Sequence, residues 1–151
     1  MNKDTGAINV YNQKSLYPFM SKQEFLSDFK NLLEDFNIKN SVFEFKKEIC
    51  VNGMFFWIMC VFIDNKLVGV LLENSDEKLR NTYDNWSNEK NLLKRKSHDK
   101  WLISNLNKPY EIKSTSIIFE RNWGEVISYT DMKSGEIKIS ISYKNQNEDN
   151  Q

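Results

Sequence analysis

Apolar and polar positions follow two different periods along this chain, and the switches between them mark its elements. Phe25, Phe29, Leu32, Leu33 and Phe36 recur at helical spacing and form one stripe. Ser21 followed by Glu24 is a capping box, and Met20 and Phe25 stand where a hydrophobic staple would put them. Asn37 and Asn40 offer stop chemistry, so the spacing predicts a first helix from Ser21 to near Ile38. Before it, residues 1–20 carry Ile8, Val10, Leu16, Tyr17 and Phe19 without a sustained period, which reads as an extended lead-in able to dock on the domain.

The period then falls to two. VFEFKKEICV and MFFWIMCVFI flank Asn52-Gly53, two residues that tolerate positive φ and so signal a tight hairpin. A two-residue turn predicts Val51 opposite Met54, Ile49 opposite Phe56 and Phe45 opposite Cys60. One face of the pair then carries Phe43, Phe45, Ile49, Val51, Met54, Phe56, Ile58, Cys60 and Phe62, and this is the predicted core face. The other face sets Glu44, Lys46 and Glu48 beside Phe55, Trp57, Met59 and Val61. A third strand, Lys66 to Glu73, follows an Asp64-Asn65 turn. The middle strand is apolar on both sides, so something should cover each: a helix, the lead-in or a partner protein.

From Asp76 the helical period returns through Leu79, Tyr83, Trp86 and Leu93 and slips near Ser97. A break is expected there, then a short helix to Leu106, with Pro109 beyond. The last third reads as strands within IKSTSIIFE, WGEVISYT and EIKISISY. The final one alternates cleanly, with Ile137, Ile139, Ile141 and Tyr143 inward. Residues 131–135 read as a bulged hairpin turn with Gly135 in the left-handed position. The polar residues 144–151 read as a disordered tail. Together these elements predict a single α+β domain over 1–151, an antiparallel sheet of about five to six strands packed on two main helices.

Composition narrows the chemistry. Twenty-one basic and 21 acidic residues cancel to a formal charge of +0, which argues against nucleic-acid binding through a basic field. The N-terminus lacks an export signal, and the longest apolar run, Met54 to Ile63, is half the roughly 20 residues a spanning helix needs. A cytoplasmic protein without membrane contact is expected. Cys50 and Cys60 form no zinc pattern and read as buried free thiols. Separated by about 17 Å along one hairpin, they could not bridge within the molecule. No phosphate loop is present, and no cofactor or metal set is expected. The sole histidine, His98, precedes Asp99, but neighbours on a helix diverge by about 100°, so the two do not form a catalytic pair. His98 reads as a packed residue beside Trp101 and Leu102, and Asp99 as the ion-pair partner of Arg95. Glu44, Glu48, Glu125 and Asp131 leave open a small hydrolase working through strand carboxylates.

The segments HDKWLISNLNKP and NWGEVISYTDMKSGEIKISISY resemble the C-terminal part of small bacterial immunity proteins of polymorphic and contact-dependent toxin systems. The matching positions are His98, Asp99, Trp101, Leu102, Pro109, Trp123, Gly124, Ser128, Asp131, Ser134 and Gly135, within the last third of the chain. Asn107 departs from the pattern, standing where a glycine is expected. The resemblance implies a non-enzymatic α+β protein that binds and neutralises a cognate toxin domain. Its expected contacts are Phe55, Trp57 and Met59 first, then Glu125, Asp131 and Glu136. Self-association through Phe55, Trp57 and Met59 is the remaining alternative, and the choice of monomer or homodimer stays open.

Overall fold

A computed structural model describes residues 1–145 of the chain. Of the tail expected over 144–151, only Lys144 and Asn145 fall within the described residues. The element order is β1 (Ile8–Tyr11), β2 (Lys14–Leu16), α1 (Lys22–Phe29), β3 (Val42–Glu44), β4 (Ile49–Val51), β5 (Met54–Ile63), β6 (Lys66–Asn74), α2 (Asn88–Leu106), β7 (Glu111–Ile112), β8 (Ser116–Arg121), β9 (Gly124–Thr130) and β10 (Ile137–Tyr143). The expected α+β class is found. The strand number is larger than the expected five to six: eight strands form the main sheet and β1 and β2 a separate hairpin. The main sheet runs β3-β5-β6-β10-β9-β8-β7, all antiparallel, with β4 also pairing β5.

Half of the capping box forms. Ser21 is the N-cap of α1 and its hydroxyl accepts the Glu24 N–H at 3.1 Å. The Glu24 carboxylate turns away to accept the Tyr17 hydroxyl. The helix stops at Phe29 and tightens into a 3-10 turn over Lys30–Leu32, well short of Ile38. Backbone pairing wins over helical period here. Leu33 bridges to Phe45, Glu34 N–H donates to Glu44 C=O, and Lys46 N–H to Leu32 C=O, so the segment lies along the edge of β3. Phe36, assigned to the helical stripe, is left exposed. Phe25 and Phe29 are sealed, with Phe25 5.0 Å from Phe62 and 5.6 Å from Phe43 between ring centroids.

The Asn52-Gly53 turn has φ of 47° and 83° and fixes Val51 opposite Met54 and Ile49 opposite Phe56, as the dipeptide requires. Farther along, Phe43 and not Phe45 faces Cys60. The strand carries two extra residues between β3 and β4, where Lys46 to Glu48 loop out. An even excess preserves side-chain parity, so the slip moves the partners and leaves the predicted core face intact. Phe43, Phe45, Val51, Phe56, Ile58, Cys60 and Phe62 are all buried, and Ile49 and Met54 pack against them.

The lead-in is a structural layer in its own right. Ile8, Val10 and Leu16 are buried in the common core. Trp123 Nε1–H donates to Lys3 C=O at 2.9 Å and the Tyr143 hydroxyl to Gly6 C=O at 3.1 Å, tying residues 1–7 to the far sheet. Gly124 is required at its place, because a Cβ there would lie 2.1 Å from Ser142 O.

Residues 76–87 are irregular apart from a 3-10 turn, Glu77–Leu79, and Tyr83 is fully exposed. The helix begins only at Asn88, capped by Ser87, and runs unbroken through Ser97. The period seemed to slip because the buried stripe is Lys94, His98, Trp101, Leu102 and Leu106, two of which are polar, while Leu92 and Leu93 are exposed. Trp101 packs on Phe56 at 4.8 Å, and its Nε1–H donates to Val51 C=O at 3.0 Å. Both helices and the N-terminal hairpin therefore join one core cluster on one side of the sheet. No helix among the described residues is long and apolar enough to cross a membrane.

The two thiols part company. Cys60 is buried, as expected, and burial pushes its pKa up; Cys50, next to Phe55, is exposed because it lies on the outer face of β4. In native buffer a thiol reagent should label one cysteine per chain at once and the second only on unfolding. Replacing Cys50 with serine should abolish the fast phase. Asn107 holds φ 66° and ψ −132°, backbone suited to glycine, while its N–H caps Ile103 C=O. Asn107→Gly should raise the stability measured by urea unfolding by about 1 kcal/mol.

Candidate functional site

Among the described residues no layer covers the side of the sheet opposite the helices, and strand pairing determines what it presents. Met59 stands between Glu44 on β3 and Leu71 on β6. The row continues through Ser140, Ile127 and Ile118 on β10, β9 and β8. One step along β5, Trp57 faces Glu73, and on the neighbouring strands Lys138 faces Tyr129. Phe55 and Trp57 are 53% and 42% exposed, large values for aromatic side chains in the middle of a sheet.

Trp57 and Glu73 line two adjoining hollows. One is a groove of about 300 Å³ whose floor includes Phe45, Met59 and Leu71 and whose rim carries Glu34, Glu44 and Lys138. The other is a polar cleft of about 330 Å³ that passes Trp86, Asn91 and Lys94 to reach Ser134, Gly135 and Glu136. The Lys94 ammonium is nearly buried and pairs with Glu73 at 2.9 Å, so helix α2 is pinned to β6 between them. At the cleft's other end the Trp86 ring lies over Gly135, where a Cβ would be 2.5 Å away, and Asn91 Nδ2 donates to Gly135 C=O. Gly135 has φ 73°, the left-handed position expected of it.

The six expected contact residues divide by position. Phe55, Trp57 and Met59 share the open face. Glu136 joins Trp57 at the cleft and pairs with Lys138 at 3.2 Å. Asp131 sits in the β9–β10 turn, where the Lys133 and Ser134 N–H groups donate to its carboxylate and hold its pKa below the usual range. Glu125 is at the opposite end of β9, facing Glu120 and Ser142. It is therefore far from the β9–β10 turn that holds Asp131 and leads into Glu136. The four carboxylates considered for hydrolysis are likewise separated: Glu44 on β3, Glu48 in the looped-out segment, Glu125 on β9 and Asp131 in a turn. They do not converge on a common hollow.

Sequence reasoning missed Leu71, Glu73, Lys94, Glu34 and Trp86. Leu71 and Glu73 were findable, since parity along β6 puts them beside Met59 and Trp57. Glu34 was hidden by extending α1 too far, and nothing in the pattern marked Lys94 as buried. No family model, no curated protein and no solved structure matches this chain.

His98 is wholly buried, on the covered side of the sheet. Its Nε2 accepts the Asn74 backbone N–H at 2.9 Å, so the ring's hydrogen is on Nδ1, a buried atom with no acceptor. Burial chiefly, then the Lys94 and Arg95 charges, lowers its pKa to about 3. Asp99 pairs with Arg95 at 2.9 Å and takes no part. The unfolded chain protonates His98 near pH 6.5 and the folded chain does not. Stability should therefore fall as the pH drops from about 6.5 towards 3, by up to about 1.4 kcal/mol per unit. Urea midpoints at pH 7.5, 6.5 and 5.5 should show this slope below 6.5, and His98→Gln should remove the histidine's share. The Met1 amine, which burial also holds below its ordinary value, contributes equally to both proteins and cancels in the difference.

Proposed function

We propose that this protein is a non-enzymatic immunity protein that acts in the cytoplasm by binding and neutralising the toxin domain of a cognate bacterial toxin. The observation that carries the proposal is the open face of the main sheet, where β5 exposes Phe55 and Trp57 and leaves Met59 half-buried beside them. Contiguous apolar surface of this kind favours protein contact, and aromatic anchors dominate the energy of such contacts. From Met59 across to Ile118 the row, apolar except at Ser140, crosses five strands, about 19 Å at the usual strand spacing. It is rigid, being built on paired strands, so little ordering cost accompanies docking.

Of the residues that carry the resemblance to immunity proteins, His98, Trp101, Leu102, Trp123, Gly124 and Ser128 are buried in the covered layer, while Asp131, Ser134 and Gly135 lie in the β9–β10 turn. That layer holds the sheet in shape and leaves its outer face for the partner.

Co-expression with the toxin domain encoded beside its gene should restore growth, and the two proteins should co-purify. Trp57→Ala should lower affinity by at least about thirtyfold, the range of an aromatic anchor worth 2 kcal/mol or more. Its thermal unfolding should stay close to that of the parent, since the ring lies outside the core. Growth rescue and affinity equal to the parent's would remove the open face as the docking surface.

A further inference from the structure

The groove beside Trp57 is chemically lopsided in a protein whose charges otherwise cancel. Glu34 and Glu44 stand together at its rim because the Glu34 N–H donates to Glu44 C=O across the edge of β3. Neither carboxylate has a cation within ion-pair distance among the described residues. The same two residues also border a neighbouring hollow of about 180 Å³ with Asp35, Phe36 and Val42, lined by no cation at all. The one ammonium in the groove, Lys138, already pairs with Glu136. Glu73 is held by Lys94. Glu34, Asp35 and Glu44 therefore form an uncompensated acidic rim around a floor of Trp57, Met59 and Leu71, with Phe36 and Val42 exposed beside it.

Resting on the docking-face reading above, we infer that the partner inserts a basic side chain, of arginine type, into this groove. The side chain's aliphatic stem would lie on Met59 and Leu71, its guanidinium against the half-exposed face of Trp57, and its N–H groups on Glu34 and Glu44. An indole face attracts a cation, and a planar guanidinium can bond carboxylates in pairs. A volume of about 300 Å³ lies at the small end of ligand pockets, suited to one inserted side chain. The same charge argues against a second copy on this face. A twofold dimer sets a patch against itself, and here it would bring the acidic rims of both copies into one interface.

A fluorescently labelled tri-arginine amide is the probe, with tri-citrulline amide as its neutral isostere, in low-salt buffer with the full chain. The expected result is saturable anisotropy for the arginine peptide and none for citrulline. Binding should weaken about tenfold or more in E34Q/E44Q, where two charge-assisted contacts are lost, and stay unchanged in E111Q/E120Q on β7 and β8 at the far end of the face. Glu34 and Glu44 are exposed, so their amides should leave the melting curve in place. Absent binding, equal binding of citrulline, or equal losses in both double variants would overturn the inference. A concentration-dependent dimer disrupted by Trp57→Ala would do so too. Toxin capture that fails in Trp57→Ala but survives intact in E34Q/E44Q would sink the basic anchor alone and leave the docking face standing.

Discussion

Successive side chains of a strand point to opposite faces, and in β5 that geometry ties the core to the outer surface. Phe56, Ile58, Cys60 and Phe62 are sealed under α1, α2 and the N-terminal hairpin, so Phe55, Trp57, Met59 and Val61 must stand on the other side. No adjustment of one set is independent of the other. A one-residue slip against β6 would carry Trp57 into the core and Phe56 out of it. Of the two irregularities along β5, the one opposite β3 and β4 adds two residues and so respects this constraint, and the one-residue shift against β6 falls at Val61/Phe62, beyond Met59 towards the strand's end. The first also displaces Lys46 and Glu48 from the sheet and brings Glu44 next to Met59 at the groove.

Helix α2 meets the same sheet through polar residues at two places. Lys94 reaches Glu73 and His98 reaches the Asn74 backbone, at consecutive residues where β6 ends. A neutral imidazole can close an unpaired strand amide only if it stays unprotonated, and burial arranges that. The cost is an unsatisfied Nδ1–H, on the order of 1–3 kcal/mol. What is gained is orientation: the end of β6, with Glu73, is fixed relative to α2, and Trp57 across from Glu73 is placed with it.

Much of this fold was legible because its strands obey period two and its turns carry the residues their dihedrals require. Asn52-Gly53 and Gly135 placed two hairpins, and the alternation of β10 was read without error. The failures have several causes, the first an apolar period overruled by tertiary pairing. Phe36 and Leu32 continue a helical stripe, yet the chain abandons it for backbone bonds to Glu44 and Lys46. Leu93 looked like core and is exposed, because the helix turns Lys94 and His98 inward instead. The lead-in had too few apolar residues to show a period, so its hairpin, with positive φ at Asn12 and Gln13, went unread. Of the outer face, the β5 residues could be read directly; the acidic rim could not, since it exists only where a misread helix end meets the edge of β3.

This last point bears on how the outer face acquires its chemistry. On this face Glu73 is matched by Lys94 and Lys138 by Glu136, while Glu120 and Glu125 face each other on β8 and β9. The acidic rim beside Trp57 lies where irregular backbone, the Leu33–Asp35 segment, joins the edge of β3. Irregular segments tolerate substitution better than paired strands do. The apolar floor, locked to the core by parity, can supply adhesion that changes little, while the rim can change sign or spacing without disturbing the fold. Under the proposed docking, strength and specificity would be separated, with discrimination between partners residing in the charges at the edge.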